Sequence, residues 1–170
     1  IPLLWAALQI ARDEYPALDP VAYEAVATAH SQALRARIGN STDSLDALRA
    51  LHGLLFEEQG FSGNDQDYYD PRNSYLNEVI ERRSLDASEL RVRAKPHVPG
   101  RSVDDEQLGR MLEPAPTRAI LTRMLRNLRQ CYVEREEFER ALRCADRIVW
   151  LDDRDPDEIR ERGLLYARVG

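Results

Sequence analysis

The stretch LRQCYVEREEFERALRCADRIVWLDDRDPDEIRERGLLYARVG, Leu128 to Gly170, decides the fold class because it repeats. Arg129, Tyr132 and Glu136 each stand thirty-four residues ahead of Gly163, Tyr166 and Gly170, and a period in that range marks stacked supersecondary units. Leu128 and Tyr132 fall on a first helix where they meet Phe138, Ala141 and Ile148 on a second, which EEFERAL opens at Phe138. A third helix starts at Asp157 after Pro156, in the register of the first. Helix packed on helix is the reading of the tail, and the chain is expected to be mainly α.

Upstream of the repeat the same logic gives more helices. Leu4, Leu8, Ala11 and Tyr15 are spaced as one helical face, stopped by Pro16. Asp19 caps a second helix with Pro20 at its first position, where proline's missing N–H costs nothing. Its inner face would be Tyr23, Val26, Ala27, His30, Leu34 and Ile38, and Gly39-Asn40 ends it. After a cap within Ser41 to Ser44, Leu45, Leu48, Leu51, Leu55 and Phe56 make a third amphipathic helix that Gly60 closes. Between Ser84 and Pro116 the pattern weakens, with short helical pieces near Leu85 to Val92 and Val103 to Leu112 around KPHVPG. The expected organisation is an N-terminal helical domain over 1–83, a linker over 84–115, and a helical tail over 116–170. One and a half repeats do not stand alone, so the tail is expected to dock on the N-terminal helices or to continue further.

Bulk properties narrow the function classes. With 43% hydrophobic and 32% charged residues in 170, the composition is that of a globular protein with a core. No apolar run reaches the roughly 20 residues that cross a bilayer, and IPLLWAALQI at the start lacks the basic flank and cleavage site of a signal peptide. A cytoplasmic protein without a membrane partner is expected. The net charge of −6, with arginines interleaved among acids, opposes a nucleic-acid face. Cys131 and Cys144 match neither a zinc nor a redox spacing and read as small buried side chains.

GFSGNDQDYYDPRNSYLNEVIERR, Gly60 to Arg83, is the least generic segment. Gly60 and Gly63 permit positive φ, Asn64 and Asp65 favour a turn, and Asp70 caps a new helix with Pro71 at its first position. That helix would bury Tyr75, Leu76, Val79 and Ile80 and turn Glu78, Glu81, Arg82 and Arg83 to water. Side chain to backbone hydrogen bonds, not a core, should hold the loop before it. EEQGFSGNDQDYYDPRNSYLNEVIERR closely resembles the signature of bacterial SirB-type transglutaminase-like proteins, and ARDEYPALDPVAY resembles their N-terminal helices. The thirty-four-residue tail resembles a tetratricopeptide repeat, although Arg129 stands where that repeat carries a glycine or small residue. The resemblance covers residues 1–83 and about 112–170. It marks Gly63, Asn64, Asp67, Tyr68, Tyr69, Asp70, Pro71, Arg72, Asn73 and Asn77 as the family's signature loop.

The resemblance also implies a papain-like core, carrying a nucleophile position, a Pro-Gly-His and an Asp-Pro-Phe, after the Glu-Arg-Arg. Here Arg83 is followed by SLDASEL, which resembles the family's segment beyond that aspartate, so the central core is expected to be missing. His97, in KPHVPG, does not take the family histidine's role. Acyl transfer needs a nucleophile, a histidine and an orienting group in reach, and His30, His52 and His97 offer no such set. No catalytic residue, metal ligand set or cofactor motif is assigned. NDQDYYD mimics half of a calcium loop but lacks its glycine and closing glutamate, so Asp65, Asp67 and Asp70 read as turn and cap residues. What remains is recognition of another protein or peptide, with Arg123, Arg126 and Gln130 on one face of the first tail helix suited to acidic or C-terminal carboxylate ligands. The expected function is a non-catalytic interaction or scaffolding module. The alternative is a transglutaminase-like or cysteine-protease-like acyl-transfer enzyme whose core segment is not in this sequence.

Overall fold

The structure is a computed structural model that describes residues 2–64, 66, 67, 69–86 and 115–170. The expected short helices near Leu85 to Val92 and Val103 to Leu112, and the KPHVPG stretch with His97, fall almost wholly outside the described residues. The architecture is mainly helical, as the periodicity predicts. Helices α1 (Leu3–Ala11), α2 (Pro20–Ile38), α3 (Ser44–His52) and α4 (Leu76–Arg82) form the N-terminal part, and α5 (Thr117–Glu134), α6 (Phe138–Leu151) and α7 (Pro156–Val169) form the tail. One small sheet accompanies them: β1 (Ser62–Asn64) pairs in parallel with β2 (Ser84–Asp86), Gly63 opposite Leu85.

Local chemistry sets the element boundaries. Asp19 accepts a hydrogen bond from the Val21 N–H with Pro20 at the first position of α2, and Gly39, at φ +58°, ends that helix in a conformation side chains resist. Asp43 caps α3 through the Leu45 N–H at 2.8 Å. The third helix departs from the expected register. Over Gly53–Glu58 it widens to a π turn, and the extra residue swings Leu54 into the core at 2% exposure while Leu55 is left half-buried. Helix α2 also departs from expectation: none of its residues is buried, and Val26 is 38% exposed. Polar bonds from its flank compensate in part, the Tyr23 hydroxyl donating to Glu81 on α4 and Arg37 pairing with Glu58.

The tail docks on the N-terminal helices. One core runs from Ala7, Ile10 and Ala11 on α1, through Tyr75, to Leu121, Leu125, Leu128 and Tyr132 on α5, Ala141, Ala145 and Ile148 on α6, and Leu165 on α7. Leu128 and Ile148 are fully buried, which places the repeat's interhelical positions where the spacing put them. Around this core lies a rim of opposite charges: Asp13 with Arg147 at 2.6 Å, Glu14 with Arg140 at 3.1 Å, and Asp67 with Arg135 at 3.1 Å. At its centre the Tyr75 and Tyr132 hydroxyls meet at 2.5 Å, and Tyr15 stacks edge-on against Tyr75. The two cysteines are buried and unbridged, as small core side chains.

Candidate functional site

The segment after α3 is built around Asp70. Gly60, at φ +69°, turns the chain so that Phe61 is buried and Ser62 donates its N–H to the Arg83 carbonyl, opening the β1–β2 ladder. Arg83 sits at φ +52°, left-handed, at the end of α4. Asp70, 2% exposed, accepts from the backbone N–H of Arg72 at 3.0 Å, from Arg72 Nε at 2.9 Å and from Arg82 Nη1 at 3.2 Å. Burial pushes the Asp70 carboxyl up, but the hydrogen bonds from Arg72 and Arg82 outweigh it and hold the group below its usual range.

Two asparagines finish the loop. Asn64 Nδ2 donates to Asn73 Oδ1, Asn73 Nδ2 donates to the Asp67 carbonyl at 3.0 Å, and Asn64 Oδ1 accepts from the Gln66 and Asp67 N–H groups. The last three are the side chain to backbone bonds expected from the residue types. Ion pairs that the composition does not predict add to them. The helix expected to run on from Asp70 is two pieces: a 3-10 turn over Pro71–Asn73, then α4 with Tyr75 before its first residue. The break puts Tyr75 and Asn77 inside and leaves Leu76, Val79 and Ile80 only half-buried. Asn77 Oδ1 is a buried acceptor with no hydrogen-bond partner among the described residues. Asp65 and Tyr68 lie outside the described residues.

Against this loop rests α5. The 3-10 turn and α5 enclose a cleft of about 40 Å³, with Tyr69, Asp70, Asn73 and Ser74 on one wall and Asn127, Gln130 and Cys131 on the other. Asn127 and Gln130 stand on α5 beside the two expected partner-binding arginines. Arg123 is exposed. Arg126 turns to α7, its Nε 2.6 Å from Glu158 and its Nη2 3.2 Å from Asp155. Arg129 also reaches Glu158, which is 4% exposed. The position that a small residue usually fills is thus a buried ion pair tying α5 to α7. Gln130 donates to Glu134 at 2.6 Å. Arg123, Arg126 and Gln130 therefore all already have partners within the chain, something that helical spacing alone does not reveal.

The remaining titratable groups are dispersed. His52 lies exposed against Phe56 and 3.5 Å from Glu57, and His30 is half-buried on α2. Burial pushes the Cys144 thiol up to about 12, so it stays protonated. Among the described residues no group of three or more His, Cys, Asp and Glu side chains could hold a metal ion, and no helix is long and apolar enough to cross a membrane. Asp67 pairs with Arg135 and Asp70 with Arg72 and Arg82, which accounts for two of the three carboxylates of the calcium-like run.

Comparison with known proteins corrects one expectation. Residues 21–84 match the transglutaminase-like superfamily and residues 128–170 match the tetratricopeptide repeat. The expectation that the transglutaminase-like core is lacking is overturned, because a transglutaminase-like region and a repeat region are both present. The resemblance implies that core in strands beyond Arg83, whereas the matched region is α2, α3, the Asp70 loop and α4. No solved structure matches. The chain is 24% identical to a UPF0162 protein of Vibrio cholerae over 75% of its own length and 65% of that protein's. Protein SirB1 of Salmonella typhimurium is 33% identical over 34% of this chain and 22% of its own. A UPF0162 protein of Xylella fastidiosa is 36% identical across 100% of this chain and 79% of its own length. On that match, the chain belongs to the UPF0162 family.

Proposed function

We propose that the protein is a non-catalytic interaction or scaffolding module of the SirB type, working in the cytoplasm on another protein or peptide. The observation that carries this reading is the docked tail: a tetratricopeptide match over residues 128–170 is held by a shared core against α1 and Tyr75. In this organisation residues 1–83 form the supporting helical domain with its signature loop, 84–115 link, and 116–170 form the interacting end. Arg123 and Gln130 on α5 would meet an acidic or C-terminal carboxylate ligand. Arg126 would join them by turning from Glu158 and Asp155. The net charge of −6 disfavours nucleic acid as the partner.

The test is affinity capture from a bacterial lysate, comparing wild type with Arg123→Ala and Gln130→Ala. A specific protein recovered by wild type and depleted several-fold with Arg123→Ala supports the module; equal recovery removes α5 as its ligand face. The transglutaminase-like match favours a second reading, an acyl-transfer enzyme. Labelling of Cys131 by a thiol-reactive probe, with loss of an acyl-transfer activity, would establish that reading over the first.

A further inference from the structure

The cleft between the 3-10 turn and α5 has more hydrogen-bonding capacity than the fold uses. Its Asp70 floor is spent, since both carboxylate oxygens are taken by Arg72 and Arg82. Asn73 gives one amide N–H to the Asp67 carbonyl, accepts from Asn64 and keeps its second N–H. Asn127, half-buried on the opposite wall, and Ser74 make no side-chain hydrogen bond with any described residue. Gln130 gives its amide N–H to Glu134 and keeps its carbonyl oxygen. Among the described residues the unspent set is the Asn127 amide, the Ser74 hydroxyl, the Gln130 carbonyl oxygen and one Asn73 N–H, with no uncompensated charge.

Such a set selects its ligand by chemistry. A carboxylate would bring acceptors only and would approach the buried Asp70. A cation would find that carboxylate already held by two guanidinium groups. A neutral amide presents one donor edge and one acceptor edge, which is what Asn127 and Ser74 can answer in pairs. The volume fits: about 40 Å³ is room for a few waters, each needing roughly 10–15 Å³, or for a single amide group. Tyr69 and Gln130 at the rim are exposed, so a longer chain could pass over the mouth. We propose that this cleft binds a neutral amide group, the peptide bond or Asn/Gln side chain of an extended polypeptide segment. The polypeptide source rests on the interaction-module reading, whereas the amide preference rests on the cleft alone.

The experiment uses the full chain and two small probes of one shape, acetamide and acetate, followed through the side-chain amide resonances of Asn127 and Asn73. Acetamide should shift them saturably, and acetate should bind about tenfold more weakly or not at all, because it leaves acceptors unpaired. Asn127→Leu should remove the acetamide response. Asn127→Asp keeps the side-chain shape and should lose affinity about tenfold while circular dichroism stays native, which separates lost recognition from lost folding. Unshifted Asn127 resonances would mean that the cleft holds water only, and equal responses to the two probes would mean no amide selectivity; either overturns the proposal. A saturable acetamide site alongside unchanged capture by Arg123→Ala would keep the cleft and remove the α5 ligand face, and the reverse would remove the cleft alone.

Discussion

Asp70 shows how one carboxylate fixes a loop. Its D-P dipeptide is legible as a cap with proline behind it, and the cap is there, the carboxylate accepting from the Arg72 N–H. Its second partner was not legible, because Arg82 lies twelve residues on and comes back only when the 3-10 turn and α4 meet at the observed angle. Replacing Asp70 by Asn would leave two guanidinium groups without their counter-charge. Both arginines are partly exposed and can turn to water, so the expected loss is about 2 kcal/mol by urea unfolding, below the 3–5 kcal/mol of a fully buried pair. The pH dependence has a definite sign. A folded-state value held below the ordinary 3.8 contributes stability above that pH, and the contribution is lost as pH falls through the folded value. Wild type should therefore lose stability on acidification below about pH 4 more steeply than Asp70→Asn, and parallel acid titrations of the two proteins would contradict the pairing.

Elements join through a few specific contacts, and these resist reading from sequence more than the elements do. That α5 and α6 exist, and that Leu128 and Ile148 lie between them, follows from apolar spacing. The π turn at Gly53–Glu58 and the break before Tyr75 do not, since both are one-residue shifts that local propensity leaves nearly degenerate. The second shift has a large effect, because it delivers the Tyr75 hydroxyl to Tyr132. Burial, then the bond to Tyr132, raises the Tyr75 ionisation well above 10.0, and burial raises that of Tyr132. Each hydroxyl is the other's partner in a buried site. Tyr75→Phe or Tyr132→Phe alone should cost about 1–2 kcal/mol by orphaning a hydroxyl, and the double variant should cost less than the two losses added, by about 1 kcal/mol. Strict additivity would mean that the hydroxyls do not meet. The same logic applies between α5 and α7: Arg129→Ala strips one of two guanidinium groups from buried Glu158 and should lower stability by about 1–3 kcal/mol in urea unfolding.

At the scale of the molecule, the repeat arithmetic asks that the tail dock on the N-terminal helices or continue further, and it docks on α1 and Tyr75. Which faces would meet was hidden, because Asp13, Glu14 and Asp67 look like ordinary surface acids until Arg147, Arg140 and Arg135 are brought opposite them. A shared core has a consequence for unfolding: the two parts should come apart together, since α5 and α6 lose their buried partners when α1 leaves. The two tryptophans make this measurable, as Trp5 lies on α1 at 40% exposure and Trp150 on α6 at 91%. Trp150→Phe removes a solvated reporter at little cost and leaves Trp5 to report on the N-terminal part alone. In that background Leu128→Ala, a truncation at a fully buried tail position, should cost about 2–5 kcal/mol and lower the midpoint seen by Trp5 as much as the midpoint seen by circular dichroism. A Trp5 transition that stays at the parental midpoint while the helical signal shifts would show two independent units, and the docked arrangement of α1, Tyr75 and α5 would then not be what holds the tail.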